Sequence, residues 1–289
     1  PMAICTITAA GQFTYNEDSC QNLIDFVEAG VPVEIVPITL MGLNAPVTIL
    51  GALAFHTAEV LAGVTMAQLV KPGAPTLFGG SAAAFHMQNT TSPMTGIEAL
   101  RLTASSSLMG KRLGMPTQAY TSFSEAKVLD AQAGAETAFG ALLAVTSGMD
   151  SISGPGMLDY LLTFSLPKLV IDDEIAGQVL HFGRDVQLAG DIPSSEIISE
   201  MLSEGHALVA DHTTEHWPSA LYLPGPSWDR DAYDKWHSDG ALTVGDRAAA
   251  EVDRLIEAYQ GPEPDPAVDA EARAIIEAGM TGGGELPSL

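Results

Sequence analysis

The amino-acid sequence predicts an α/β fold in which parallel strands alternate with helices. Short apolar runs rich in β-branched residues recur through residues 1–190, and a longer segment with helical spacing of apolar residues follows them. A strand and its helix together take roughly 30–45 residues, a length that suits a right-handed crossover between parallel strands. Because the predicted strands are nearly all apolar, we expect helices to cover both faces of the sheet.

Five strands are predicted from these apolar runs. The third strand is followed by a loop of glycine and small residues, 79–84. The predicted strands are residues 2–8, 31–37, 75–78, 117–120 and 150–153.

Five helices are predicted between and after these strands. In the first, apolar residues recur at helical spacing from Cys20 to Val27, and Gly30 ends the helix. The second is long and apolar, and the Lys71-Pro-Gly sequence ends it. The predicted helices are residues 17–29, 47–70, 93 or 95 to 113, 125–147 and 168–183.

Two architectures are compatible with these elements, a (β/α)8 barrel and an open doubly wound sheet. No Gly-x-Gly-x-x-Gly or Walker loop follows a strand, which argues against a nucleotide-binding sheet. A barrel needs eight strands and only about five are predicted. The chain also begins at Pro1, within an apolar run and without an initiator methionine. If the fold is a barrel, we expect about three strand–helix units to precede this chain.

We expect three regions along the chain. Residues 1–190 form the partial barrel, and residues 191–260 form a C-terminal extension of helices with a loop at 217–236 that is rich in aromatic residues and proline. Residues 261–289 comprise a proline-rich linker at 261–266, an acidic helix at 267–278 and a flexible, glycine-rich tail.

Composition narrows the function classes. With 12 basic and 36 acidic residues the chain carries a formal charge of −24, which disfavours direct contact with nucleic acid or an anionic membrane surface. The two cysteines, Cys5 and Cys20, form no disulfide or metal-binding pattern. Residues 49–70 come closest to a membrane span, but His56 and Glu59 interrupt them. We therefore predict a reduced, soluble, cytoplasmic protein, and a homo-oligomer is compatible with the sequence.

Two groups of polar residues are candidates for chemistry. His212 and His216 have a spacing that can hold zinc, with Asp211 or Glu215 completing the site. Pro218 and the two threonines make a regular helix doubtful there, so a capped turn or a loop anchor is the favoured interpretation. Glu59 lies within an apolar helix, where a buried carboxylate needs a partner, so we expect it either to be hydrogen-bonded to the sheet or to be placed for function.

The loops after the strands are the expected location of a binding site in a barrel. They are rich in glycine, serine, threonine and asparagine, and they carry few charges but several aromatic residues, among them Phe78, Phe85, Tyr120 and Phe123. Hydroxyls, amides and aromatic rings suit a soft organic cation better than a phosphate, because aromatic faces bind quaternary ammonium groups. For any single ring, packing at the barrel rim is an equally good interpretation. The loops are residues 39–44, 79–89, 120–125 and 153–156.

Several ordered motifs resemble one known family, the trimethylamine methyltransferases. They begin with Asn44-Ala-Pro-Val-Thr48, Gly51-Ala-Leu53 and Ala58-Glu-Val-Leu-Ala-Gly63. They continue with Pro72-Gly-Ala-Pro75, Lys127 with Asp130-Ala-Gln-Ala-Gly134, Lys168-Leu-Val-Ile-Asp-Asp-Glu174, His212-Thr with His216, and Asp229-Arg230 with Tyr233 and Trp236.

The resemblance implies a TIM-type (β/α)8 barrel of which about the last five units are present, followed by a helical extension. It also implies methyl transfer from a methylated, quaternary amine to the Co(I) corrinoid of a partner protein, with no cofactor or metal bound directly. Only the twenty standard residues occur, so the chain is similar to the branch without pyrrolysine, which includes glycine betaine methyltransferase. A quaternary ammonium already has a neutral amine as its leaving group.

Within this resemblance we expect five residues near the substrate, while catalytic residues stay unassigned. Where the family often has Asp-Met-Arg the chain has His86-Met-Gln, and where it often has Asn-Ala-Glu the chain has Thr57-Ala-Glu59, so the particular amine is left open. Two alternatives are a non-catalytic relative that binds a methylated amine or a partner, and a zinc-dependent TIM-barrel hydrolase. The expected substrate-binding residues are Glu59, Thr57, His86, Tyr120 and Phe164.

Overall fold

The computed structural model describes residues 3–9, 11, 13–188, 194–261 and 265–279. The strands are β1 Cys5–Ala9, β2 Val33–Met41, β3 Thr76–Phe78, β4 Ser81–Ala84, β5 Gln118–Tyr120, β6 Ser151–Ser153, β7 Met157–Leu158 and β8 Thr163–Phe164. The helices are α1 Glu17–Glu28, α2 Ile49–Val70, α3 Ile97–Arg112, α4 Ala131–Thr146, α5 Leu166–Phe182, α6 Ser195–Glu204, α7 Asp211–Ala220, α8 Tyr233–Ser238, α9 Val244–Ala258 and α10 Pro266–Gly279.

The strands β1 to β6 lie side by side in the order of the sequence, except that β3 and β4 lie along different halves of the same strand, β2. β2 pairs in parallel with β1, with β3 along its first half and with β4 along its second half. A parallel bridge joins Phe78 to Thr117 next to β5, and β5 pairs in parallel with β6. The pairs among β1 to β6 are therefore parallel, as the alternation of elements predicted, whereas β7 and β8 pair in antiparallel fashion. The (β/α)8 barrel itself stays a prediction.

Helices α1 and α2 cover one face of this sheet. Ile7, Val33 and Ile35 point to that face and form a buried core with Leu23 of α1 and Val60 of α2. Side chains alternate between the two faces of a strand. The residues of β2 with even numbers therefore face the opposite side, and that side carries the cavity described below.

His56 attaches α2 to the sheet. Its ring is fully buried, with Nδ1 2.8 Å from the Thr39 hydroxyl and Nε2 3.1 Å from the carbonyl oxygen of Gly79. Burial lowers the pKa of His56 to about 4, although the bond to Gly79 opposes this shift. Among the described residues, α2 is the one helix long and apolar enough to cross a membrane by length and composition. The contacts of His56 with Thr39 and Gly79 face the sheet, as expected for a helix that packs on a protein core.

The predicted loop at 79–84 is wrong, because residues Ser81–Ala84 form β4. Small residues have little strand preference of their own, but here they pair with Ile38–Met41 of β2, and this tertiary contact decides the conformation. The break before β4 needs glycine. A Cβ atom at Gly79 would lie 2.7 Å from the carbonyl oxygen of Ile35, and one at Gly80 would lie 2.7 Å from the His56 ring.

Other predicted boundaries also move. The helix predicted from residue 125 begins at Ala131, because the Asp130 carboxylate caps it by accepting hydrogen bonds from the amides of Gln132 and Ala133. The prediction of a turn or loop around His212 is wrong, because α7 is a helix over Asp211–Ala220 that continues through Pro218. The aromatic and proline-rich loop predicted at 217–236 is shorter than expected, because α7 and α8 take its two ends.

The chain divides into two compact units, residues 1–252 and residues 253–289. The first contains the sheet and helices α1 to α8. In the second, α10 carries an ion pair between Arg273 and Asp269, with 2.9 Å between Nε and Oδ2. The predicted boundary between residues 190 and 191, part of the predicted linker, and the predicted tail at 280–289 lie outside the described residues.

Candidate functional site

A cavity of about 440 Å³ lies at the carboxyl ends of β2 and β4, on the face away from α1 and α2. Ile38 pairs with Ser81 and Leu40 with Ala83 across the two strands, so their side chains form one wall. The segment after β4 and the turn between β7 and β8 form the other walls. The lining residues are Ile38, Leu40, Ser81, Ala83, Thr91, Ser92, Met94 and Tyr160.

None of these eight lining side chains carries a charge. Four are aliphatic or thioether groups, three are hydroxyls, and Tyr160 supplies an aromatic ring. The wall that the strands provide is rigid, because both strands are held in a parallel ladder. Such a cavity has the size and polarity of a site for a small organic ligand, with hydroxyls to orient it and an aromatic ring to contact it.

Tyr160 lies in a turn with an unusual backbone. Asp159, Tyr160 and Leu161 all have left-handed conformations, with φ values of 49°, 58° and 66°. Residues other than glycine adopt this conformation at a cost, and strained residues concentrate at ligand sites. A hydrogen bond of 3.0 Å from the Leu162 amide to the Asp159 carbonyl oxygen closes the turn.

The ammonium group of Lys127 holds this turn from the side. Its Nζ atom lies 4.5 Å from the centre of the Tyr160 ring and 3.3 Å from Oδ1 of Asp159. It also donates a hydrogen bond of 2.7 Å to the carbonyl oxygen of Glu125. The same short segment supplies the Ala126 carbonyl oxygen, which accepts the Asp159 amide at 3.1 Å.

Carboxylates fix the backbone of the loops after the strands. In each case a side-chain oxygen accepts a hydrogen bond from a loop N–H group, which would otherwise need water or another partner. The pairs are Glu59 with the Phe13 amide at 2.9 Å, Glu136 with the Glu125 amide at 2.8 Å, Asp172 with the Gly156 amide at 2.7 Å, and Glu125 with the amides of Met94 and Thr95, the latter at 3.0 Å.

The pKa values of these carboxyls follow their surroundings. Burial raises the pKa of Glu59 and of Glu125, and the hydrogen bonds from backbone amides offset only part of that effect. Burial also acts to raise the pKa of Glu136. However, hydrogen bonds from the Ser124 hydroxyl, the Gln132 amide and the backbone outweigh burial, so the pKa of Glu136 is lowered overall.

The five expected substrate residues do not come together at the cavity. Glu59 and Thr57 lie on α2, and the buried hydroxyl oxygen of Thr57 has no hydrogen-bond partner among the described residues. His86 forms a backbone bridge to Thr91, which does line the cavity. Tyr120 ends β5 with its amide 3.2 Å from the Gly80 carbonyl oxygen. Phe164 lies in β8, half exposed. Their role in substrate binding stays a prediction.

The sequence interpretation missed Tyr160 and the strands β7 and β8. Each of these strands is two residues long, which is too short for an alternating pattern to be recognised. The turn between them contains neither glycine nor asparagine, the residues that usually mark left-handed backbone. The signal available in the sequence was Asp159, because aspartate tolerates left-handed backbone better than most residues.

His212 and His216 do lie on one face of α7, with ring centres 4.6 Å apart. Within the described ranges, however, no group of three or more histidine, cysteine, aspartate or glutamate residues has a geometry that could hold a metal ion. Asp211 and Glu215 therefore do not complete a zinc site with the two histidines in this part of the chain.

Parallel strands with a small cavity lined by uncharged side chains have the geometry of a small-molecule site in an α/β protein. The sequence profile of the trimethylamine methyltransferase family matches residues 1–284. The chain belongs to that family.

Relatives in the family carry two kinds of name. The chain is 30% identical over 277 residues to the glycine betaine methyltransferase of Desulfitobacterium hafniense strain Y51, covering 96% of the chain and 57% of the relative. It is 29% identical over 262 residues to the trimethylamine methyltransferase MttB of Methanosarcina barkeri strain Fusaro, covering 90% and 52%. The MttB of Methanosarcina thermophila is 30% identical over 256 residues. The chain thus spans just over half the length of these relatives.

Proposed function

We propose that this protein is a methyltransferase that takes a methyl group from a small methylated ammonium compound and passes it to the Co(I) corrinoid of a partner protein. The observation that carries the proposal is the cavity at the strand ends, which offers hydroxyls and the Tyr160 ring but no charged side chain. Membership of the family and the names of the relatives support the reaction type. We further propose that β1 to β6 belong to a (β/α)8 barrel and that the protein is cytoplasmic.

The cavity chemistry fits a cationic methyl donor. An aromatic face attracts a quaternary ammonium through its quadrupole without donating a full charge to it. A carboxylate at contact distance would instead stabilise the ground-state cation and oppose loss of its positive charge during transfer. The aliphatic side chains of Ile38, Leu40 and Ala83 offer apolar contacts to the methyl groups.

The residues of the chain act by positioning in this mechanism. The N–CH₃ bond breaks, its electron pair stays on the nitrogen, and a neutral amine leaves. The corrinoid supplies the cobalt nucleophile that accepts the methyl group. A corrinoid is far larger than a cavity of about 440 Å³, so we expect it to stay on its carrier and to approach from the strand ends. The walls hold the ammonium so that one methyl group faces that opening.

Ligand binding tests the proposal without the corrinoid. Titration calorimetry on the full-length protein should detect tetramethylammonium and choline, but not 3,3-dimethylbutan-1-ol, which has the shape of choline without its charge. Tyr160→Leu should weaken choline binding by about 5- to 30-fold, the range for loss of a desolvated cation–π contact. Tyr160→Phe should bind within about twofold of the parent, because the phenyl ring keeps the quadrupole.

The outcomes separate the candidate functions. Equal binding of choline and its neutral analogue would contradict a cation site. Binding without methyl transfer from any methylated amine to a Co(I) corrinoid protein would identify a non-catalytic relative. Stoichiometric zinc in the purified protein, with loss of zinc in His212→Ala, would favour the hydrolase alternative.

A further inference from the structure

We propose that residues 125–127 act as a clamp that sets the position of two cavity walls, with Lys127 as the positioning residue of Tyr160. The inference rests on the proposed function in one respect, namely that the cavity is the ligand site. Lys127 contacts no lining residue other than Tyr160 in the interactions described above, so we expect it to act through that ring.

The first wall is the segment after β4. The Glu125 carboxylate accepts hydrogen bonds from the amides of Met94 and Thr95. Met94 lines the cavity, and so do Thr91 and Ser92, which lie three and two residues before it. Glu125 is 7% exposed, so these bonds are shielded from water and hold the segment more firmly than surface bonds would.

The second wall is the turn that carries Tyr160. It receives two contacts from the clamp, the Ala126 carbonyl oxygen on the Asp159 amide and the Lys127 ammonium on the Tyr160 ring. The left-handed backbone of residues 159–161 is costly for non-glycine residues, so external contacts are needed to keep it. Lys127 also pairs with Asp159, which opposes rotation of the turn.

The clamp is itself anchored to α4. Glu136 of that helix accepts hydrogen bonds from the Ser124 hydroxyl at 2.6 Å and from the Glu125 amide at 2.8 Å. The Ser124 hydroxyl in turn accepts the Ala126 amide at 2.9 Å. The chain of contacts therefore runs from a regular helix through residues 124–127 to both walls, and the clamp holds each wall by separate contacts.

A double-mutant cycle on the full-length protein tests the role of Lys127. Lys127→Met should weaken choline binding by about fivefold, a size typical of an exposed cation–π contact, because the Tyr160 ring loses its support. The repulsion between Lys127 and a cationic ligand is small by comparison, since Lys127 is exposed and paired with Asp159. Lys127→Arg should bind choline within about twofold of the parent. In a Tyr160→Leu background, Lys127→Met should change the affinity by less than about 1.5-fold, because its target ring is gone. Lys235→Met is the matched control, an exposed lysine paired with Asp231 and Asp239, and should bind choline like the parent.

Amide hydrogen exchange tests the clamp without any ligand. Lys127→Met should speed exchange of the amides of Asp159 and Leu162 by about tenfold while leaving those of Met94 and Thr95 unchanged. Glu125→Gln should do the reverse. If the parent binds no methylated ammonium but these exchange patterns appear, the proposed function fails and the clamp stands. Two results would overturn the clamp. One is an equal loss of choline affinity on Lys127→Met in the parent and in the Tyr160→Leu background. The other is faster exchange across the whole sheet in Lys127→Met or Glu125→Gln.

Discussion

Lys168 and Asp172 lie one helical turn apart on α5, and each side chain is only 1% exposed. The Lys168 ammonium lies 2.5 Å from Asp172 Oδ2 and donates a hydrogen bond of 2.9 Å to the Thr137 hydroxyl. Asp172 also accepts the Gly156 amide from the loop after β6 at 2.7 Å. Burial lowers the pKa of Lys168 and raises the pKa of Asp172, so each charge depends on its partner.

Lys168→Met should therefore lower the free energy of unfolding by about 3–5 kcal/mol, because it leaves a buried carboxylate without its cation. For a protein of this size that corresponds to a fall in the melting temperature of about 6–20 °C. Urea unfolding and thermal melting of the full-length protein, followed by circular dichroism, measure both quantities.

The double variant Lys168→Met, Asp172→Leu should be more stable than Lys168→Met alone. It has no buried charge left, and its main loss is the acceptor of the Gly156 amide, which costs about 1–3 kcal/mol. Lys235→Met should leave the unfolding midpoint unchanged, since that lysine is exposed to solvent. A loss below about 1 kcal/mol in Lys168→Met, or a double variant as unstable as the sum of its single changes, would refute the reasoning.

Three further predictions concern stability. Burial lowers the pKa of His56 to about 4, while the unfolded chain takes up a proton near pH 6.5. The free energy of unfolding should therefore fall by about 3 kcal/mol as the pH drops from about 6.5 to 4, and His56→Gln should remove that part of the pH dependence in urea titrations. Gly140→Ala should destabilise by about 1–3 kcal/mol, because its Cβ atom would lie 2.4 Å from the Ser122 amide nitrogen. A Cβ atom at Gly134, on the same helix, would meet no atom within 4 Å, so Gly134→Ala should raise the free energy of unfolding by about 0.5–1 kcal/mol. A similar melting temperature for the two variants would contradict the packing described around α4. Asp130→Ala should cost about 1 kcal/mol through loss of the α4 cap, seen as a lower urea midpoint, and an unchanged midpoint would show that the cap is dispensable.

Elements with a local signal were predicted well from the sequence. α1 has apolar residues at helical spacing, and the Asn16 side chain caps it by accepting the Ser19 amide, so its start at Glu17 follows from neighbouring residues. The parallel pairing of β1 and β2 likewise follows from two apolar runs separated by one helix. Both features depend on residues close to one another in the chain.

Features that depend on distant residues were missed. The strand β4 exists because of its pairing with β2, although its own serine and alanine residues favour no strand. The cavity combines β2 and β4 with Tyr160, which lies more than a hundred residues beyond Ile38, and its turn carries no glycine to mark it. The expected site residues were chosen by type and motif, and neither property indicates which face of the sheet a side chain occupies.

The Met94 amide donates a hydrogen bond to the Glu125 carboxylate, so the position of this cavity wall and its chemistry depend on different atoms. The bond between the Glu125 carboxylate and the main-chain N–H of Met94 fixes the position of the wall. The side chain of Met94 determines what the wall presents to the cavity. Every residue except proline has an N–H group. A substitution at position 94 can therefore change the chemistry of this wall while the segment after β4 keeps its position.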